Sequence, residues 1–270
     1  MNKKITTILQ GGLGNTLFQI ATAYAYSLDH GHEFELYDNL YIPCHHPSLD
    51  SYKNNIFSNF KISETNEEFF KYNELSFCFN EIPKFNNNLI LYGYFQSEKY
   101  FVKYKEQIQK IFHFDCDLIQ KYSKELKQKN CSIHVRRGDY LNLQNFHPVQ
   151  NLEYYKKAMS LFDKDTLFFV FSNDIEWCKN EFTYENIGTD NFIFIDGNNG
   201  QDDLLLMSRC QNNIIANSSF SWWAAWLNQN LNKKIICPQN WFSEDYAKQI
   251  CGNQYATYKQ DLLPSKWIQL

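Results

Sequence analysis

The stretch "CSIHVRRGDY", residues 131–140, sets two adjacent arginines at the end of an apolar run, with a glycine directly after them. Strand alternation puts His134 and Arg136 on one face, and Val135 and Arg137 on the other. A guanidinium is planar, permanently charged and able to grip phosphate oxygens through two parallel N–H bonds, so Arg136 reads as an anion clamp. Arg137 has two readings: a second clamp, or a structural pair with Asp139. A second cluster is "GQDDLLLMSRCQNNIIANSSFSWWAAWL", residues 200–227. Asp202 and Asp203 stand at a helix start, where a carboxylate either caps amides or accepts the paired N–H donors of a guanine edge. Asn217, Ser218 and Ser219 turn a strand into a helix, and small hydroxyls beside free helix amides suit an anion. The third cluster, "ILQGGLGNTLFQ" at residues 8–19, runs an apolar strand into Gly11, Gly12 and Gly14 and then a helical pattern. A dinucleotide fingerprint there needs a glycine at position 17, which Leu17 occupies, and this weighs against a dehydrogenase built on residues 8–38.

These residues need a scaffold that presents strand ends. "KKITTIL", a helix spaced as Leu17, Ile20, Ala21, Tyr24 and Leu28, a stop at Gly31 and "EFELYD" form one βαβ unit. Residues 40–88 are Asn-rich and aromatic with weak periodicity, and "NLILYGYFQSEKYF" then supplies a strand and a helix start. Further strands are expected at 131–136, 166–172, 191–196, 212–218 and 233–238, with helices between them. Strand and helix in alternation mean parallel sheets covered by helices, with ligands taken at the C-terminal strand ends. The polar "KQKN" places a boundary near 128–130, dividing the chain into lobes 1–129 and 130–270.

The 270 residues carry a net charge of -4, which offers no general attraction to nucleic acid or acidic lipid. No apolar run reaches the roughly 18 residues of a membrane span, so any membrane association would be peripheral. "MNKKITTILQ" lacks the apolar core of a signal peptide, and the eight dispersed cysteines contain no CxxC, so a reduced, cytoplasmic protein is expected. "CHHP" sits in a loop-like stretch, and Cys44, His45 and His46 are not taken as a zinc site.

Taken together, "IHVRRGDY", "FVFSND", the 200–227 cluster and "GGLGNTLFQIATAYAYS" resemble the inverting α-1,2-fucosyltransferases that use GDP-fucose, glycosyltransferase family 11. The likeness spans nearly the whole chain, is strongest over 8–31 and 131–241, and is vague over 40–88. It implies a GT-B-like α/β architecture of two Rossmann-type lobes with an interlobe cleft, the donor held by the C-terminal lobe and the acceptor by the N-terminal one. The family signature His-x-Arg-Arg-x-Asp falls on His134, Arg136, Arg137 and Asp139. By resemblance, Arg136 holds the pyrophosphate with His134 beside it, and Asp203 recognises guanine. Asn173, Asn217, Ser218, Ser219 and Phe220 complete the donor side, and Gly12, Gly14 and Asn15 form a loop facing the sugar and diphosphate. The implied reaction moves fucose from GDP-fucose to the 2-hydroxyl of a terminal galactose on a glycan, with no metal or other cofactor. Arg136 and Asp139 are the catalytic candidates; the base is left open between Asp139 and Asp38. Other GDP-sugar transferases, of α-1,6 or protein O-fucosyl type, and a non-catalytic GDP- or glycan-binding module are the competing readings. One departure stands out: the family's Gly-Asn-Gln is Gly14-Asn15-Thr16 here, and that glutamine either touches substrate or only starts the helix.

Overall fold

A computed structural model describes residues 3–42 and 49–270, so Cys44, His45 and His46 lie outside the described residues. Among the described residues twelve strands occur in chain order: β1 (Lys4–Thr7), β2 (Glu33–Phe34), β3 (Leu36–Tyr37), β4 (Ile62–Ser63), β5 (Phe70–Asn73), β6 (Leu89–Tyr92), β7 (Asn130–Val135), β8 (Leu167–Ser172), β9 (Phe192–Ile195), β10 (Asn212–Ile214), β11 (Ile235–Cys237) and β12 (Ile268–Gln269). The chain divides into two compact units, 1–115 with 247–264, and 116–246 with 265–270. Where the sequence suggests one boundary near 129, residues 116–129 group with the second unit and 247–264 with the first. The returning segment is tied to first-unit residues by polar contacts that no sequence pattern announces. Ser76 donates to Gln254, the Phe79 amide donates to Asp261 at 3.2 Å, and Lys99 pairs with Asp261 at 2.6 Å.

The first unit holds a parallel four-stranded sheet in the order β2-β1-β6-β5. The helix Leu13–His30 follows β1 and stops at Gly31, whose φ of 69 is the left-handed cap that glycine adopts freely. "EFELYD" is not one strand: β2 pairs with β1, whereas β3 pairs with β4. The break falls at Glu35, a buried carboxylate that accepts from Lys61 at 2.7 Å and from Tyr37 at 2.7 Å. β5 arises inside the stretch expected to be irregular, because a strand of "FKYN" with one buried residue shows no clear alternation.

The second unit holds a parallel six-stranded sheet in the order β12-β11-β10-β7-β8-β9. The chain builds outward from β7 to β8 and β9, then starts again on the other side of β7 with β10. Every residue of β7 is buried, as befits a central strand covered on both faces. In the helix Ser219–Leu227, Trp222, Trp223 and Trp226 are all at most 2 % exposed. Burying each large apolar side chain contributes roughly 1.5–3 kcal/mol, so packing holds this helix in place.

Candidate active site

In an open parallel sheet, loops diverge where the strand order reverses, and a crevice opens beyond the C-terminal ends of the two strands there. In the second unit those strands are β7 and β10. β7 leads into His134, Arg136 and Arg137; β10 leads into Asn217, Ser218 and Ser219. The topology thus gathers the two sequence clusters at one place.

His134 is 4 % exposed; burial first and Arg136 second push its imidazole down to about 3, so it is neutral at physiological pH. Its ring lies 5.4 Å from that of Phe220, and its Nδ1 is buried without a hydrogen-bond partner. Arg136 stands one residue past the strand. Its Nη2 donates to both oxygens of Asp139, at 2.8 and 2.9 Å, and its guanidinium lies 5.2 Å from the Tyr140 ring. Its Nε is also buried and unpartnered. Arg136 Nε is a donor in any state, so burying it unpaired is costly unless an acceptor arrives, and a phosphate oxygen is such an acceptor.

Arg137 resolves differently. Its Nε donates to Asp174 at 3.1 Å, its guanidinium lies 4.1 Å over Trp177, and its amide donates to Asn173 at 3.0 Å. The pairing considered from sequence, Arg137 with Asp139, is therefore exchanged: Asp139 takes Arg136, and Asp174 takes Arg137. Gly138 sits between them at φ +23, where a Cβ would meet the Asn173 side chain at 2.2 Å. Asn173 shapes this turn, its Nδ2 reaching Asp139 at 3.5 Å.

On the β10 side, Asn217 is committed to the scaffold. Its Nδ2 donates to the Trp241 carbonyl at 2.9 Å, its Oδ1 accepts from Gln150 at 3.3 Å, and its carbonyl accepts from Tyr140 at 3.1 Å. Ser218 is the N-cap of the nine-residue helix, yet its side chain caps nothing. The first-turn amides there face outward from the helix end and carry its positive dipole. Phe220 lies 3.7 Å from where a Cβ on Gly200 would stand, which joins this helix to Gly200–Arg209. Asn199, rather than either aspartate, caps that second helix by accepting from the Asp202 amide at 2.9 Å. Asp203 is left free of capping; it accepts from Asn198 at 3.1 Å, and burial pushes its carboxyl up to about 7. Tyr140, Asp174, Trp177 and His147, which stacks on Tyr140 at 4.6 Å, were not singled out from sequence. The only signal for them is their closeness to "RRGDY" and "SND".

The first unit has its own reversal, between β1 and β6. The residue that needs positive φ is Gly11, at +79, where a Cβ would lie 2.4 Å from Asn15 Nδ2. Gly12 is the extended N-cap, and Gly14 is already helical and buried. The buried side chain of Gln19 clamps the turn, accepting from the Gln10 amide at 3.0 Å and donating to its carbonyl at 3.1 Å. Thr16 is buried and donates to the Leu13 carbonyl at 2.8 Å, so the departing residue serves the helix start. Asp38 is exposed in the short 3-10 helix Asp38–Leu40. Among the described residues, no group of three or more His, Cys, Asp or Glu could hold a metal ion, and no helix is long and apolar enough to cross a membrane.

Comparison with known proteins bears on the family and the fold. An α-1,2-colitosyltransferase of Escherichia coli is 32 % identical over 97 % of this chain and 97 % of its own length. The galactoside α-(1,2)-fucosyltransferase 1 of Rattus norvegicus is 36 % identical over 35 % of this chain and 27 % of its own. A crystal structure of NodZ α-1,6-fucosyltransferase soaked with GDP-fucose superposes with a TM-score of 0.55 and 13 % identity, covering 84 % of this chain and 93 % of that one. At that identity the likeness speaks for the GT-B-like α/β fold alone. The model of glycosyl transferase family 11 matches residues 39–262, and the protein is a glycosyltransferase belonging to that family.

Proposed function

We propose that the protein transfers L-fucose from GDP-β-L-fucose to the 2-hydroxyl of a terminal galactose-type residue, with inversion to an α-1,2 linkage. The observation that carries this reading is the pair of unsatisfied buried nitrogens, Arg136 Nε and His134 Nδ1, at the β7–β10 reversal beside an uncapped helix N-terminus. That arrangement suits a diphosphate. Arg136 and the amides at Ser219 and Phe220 face the charge that builds on the β-phosphate as GDP departs, and such preorganised donors supply the largest share of catalysis. His134 donates from Nδ1 as a neutral imidazole. Asp203, ionised, accepts the paired N–H groups of guanine, with Phe220 against the base. Asp139, a catalytic candidate from sequence, acts here by holding Arg136 with both oxygens, which is a positioning role. The first unit, with Asn15 at its β1–β6 reversal, takes the acceptor. Positive charge at the leaving group comes from the protein, so the reading requires no metal.

The relatives named above are both α-1,2 transferases, which supports the linkage. The more extensive match acts with colitose, a sugar lacking one ring hydroxyl of fucose, so a colitosyl donor is the second reading. The seven described cysteines are free, consistent with a reducing cytoplasm. The test is incubation with GDP-fucose or GDP-colitose and galactose-terminated acceptors, the linkage read by NMR. Transfer of fucose to O2 in the presence of EDTA is expected. Neither transfer nor donor hydrolysis by the wild type overturns the reading, and transfer of colitose alone selects the second.

A further inference from the structure

The first unit contains a carboxylate that neither the sequence reading nor the mechanism uses. Glu74 directly follows β5, and its amide donates to the Tyr92 carbonyl at 2.8 Å, extending the ladder by one residue. Its side chain turns toward the loop after β6. Oε2 accepts from the Tyr94 amide at 2.7 Å and Oε1 from the Phe95 amide at 2.9 Å. Gly93 makes room for it, since a Cβ there would lie 2.3 Å from that of Glu74. Phe95 has φ 51, the only positive φ of a non-glycine residue among those described, and its ring is fully buried. Left-handed backbone at a bulky residue persists only where its surroundings enforce it. The two amides held by Glu74 and the buried ring do so. The next residue, Gln96, is aimed across the β1–β6 reversal and donates to Asn15 Oδ1 at 2.8 Å.

We propose that Glu74 is a positioning residue: its carboxylate folds the Gly93–Gln96 loop so that Gln96 fixes Asn15 at the first unit's crevice, where the acceptor sugar is set for attack. The acceptor part rests on the function proposed above; the clamp itself does not.

The clamp is sensitive to protonation. No ion pair to Glu74 occurs among the described residues, and burial pushes its carboxyl up to about 7, against the pull of the two amides. The groups around it, Tyr72, Tyr100 and Cys78, are pushed up by burial and stay neutral at that pH. Asp261, which bears on Tyr100 and Cys78, is itself paired with Lys99 at 2.6 Å. Below pH 7 the carboxyl gains a proton, one oxygen becomes a donor, and one of the two amides loses its acceptor.

The test uses the full chain. Backbone amide resonances of Tyr94 and Phe95 are followed by NMR from pH 5.5 to 8.5 without substrate. Both are expected to titrate with a common midpoint near 7, and neither should do so in Glu74→Gln. Amides that do not titrate, or that titrate unchanged in the variant, overturn the clamp. With donor saturating and lactose as acceptor, Glu74→Gln is expected to raise the acceptor KM about tenfold, the cost of a lost charge-assisted bond. GDP affinity should stay unchanged. Gln96→Leu, which leaves the carboxylate in place, should do the same, and the double variant should be no worse than either. Additive losses, or an equal loss of GDP affinity, overturn the positioning role. A wild type that binds no GDP and transfers no sugar refutes the proposed function, while the amide titration still decides the clamp.

Discussion

Asp203 is the sharpest point at which structure and pH meet. Burial raises its carboxyl from 3.8 to about 7, with Asp202 and Asp196 adding to the rise and Asn198 opposing it. Only the ionised form accepts two N–H donors, so with the proposed guanine contact GDP binding draws from the ionised fraction. With a midpoint of 7 that fraction is about 0.9 at pH 8, about 0.5 at pH 7 and about 0.1 at pH 6. GDP affinity should therefore fall about tenfold from pH 8 to pH 6, or about 1.4 kcal/mol, and binding at pH 6 should release about 0.9 proton. The phosphates of GDP titrate in the same window, so the comparison is Asp203→Asn, in which that contribution is identical. At pH 8 the variant should bind about 10- to 100-fold more weakly, because hydrogen bonds to a charged group are worth about 1.5–3 kcal/mol. The ratio of the two affinities should shrink about tenfold by pH 6. Calorimetry in two buffers of different ionisation enthalpy reads both affinity and proton release. The same shift makes the unliganded fold more stable when Asp203 is protonated: stability is lost as pH rises through 7, and the asparagine variant should melt higher than wild type at pH 8. Wild-type affinity in Asp203→Asn, or a ratio independent of pH, would refute guanine recognition by this carboxylate.

Other expectations are as direct. Arg136→Ala should lower kcat by about 10²–10³, the usual cost of one preorganised donor at developing charge, and Arg136→Lys should recover little because the forked geometry is gone; steady-state kinetics decide. Gly11→Ala should destabilise by about 1–3 kcal/mol, given φ +79 and the 2.4 Å approach to Asn15, and raise the acceptor KM without changing GDP binding, as read by melting and calorimetry. His134 is held neutral down to about 3, so its share of stability is complete above 6.5 and is lost as pH falls toward 3. In His134→Gln the acid-unfolding profile should lose a slope of one proton over that window.

Much of the fold was legible because a parallel sheet writes itself as apolar runs alternating with helices. The place of the two arginines, at the end of a buried strand, was legible for the same reason. What escaped sequence reading was partner choice. Nothing in "HVRRGDY" tells whether Asp139 takes the first or the second arginine, since that depends on Gly138 at φ +23 and on Asn173 across the turn. Glu35 ends one strand and begins another through a lysine 26 residues away. Glu74, in a stretch without periodicity, is held among the described residues by backbone amides, which carry no sequence signature at all.

The two crevices also differ in charge, in keeping with the proposed division between a diphosphate and a sugar acceptor. At the β7–β10 reversal the presented groups include donors: a guanidinium with an open Nε and the amides of a helix start without a side-chain cap. Unsatisfied donors in a desolvated place favour an anion and disfavour a neutral hydroxyl, which is both donor and acceptor. At the β1–β6 reversal the presented groups are carboxamides, Asn15 and Gln96, bonded to one another and carrying no net charge. A carboxamide offers donor and acceptor together, as a sugar hydroxyl does, and does not reward a phosphate. Exchanging the character of one crevice should therefore exchange its preference: Asn15→Arg should create affinity for free pyrophosphate in the first unit while weakening lactose. Calorimetric titration with pyrophosphate on an Arg136→Ala background isolates that site. Pyrophosphate binding that remains absent there would show that the first crevice is not shaped to take a small ligand.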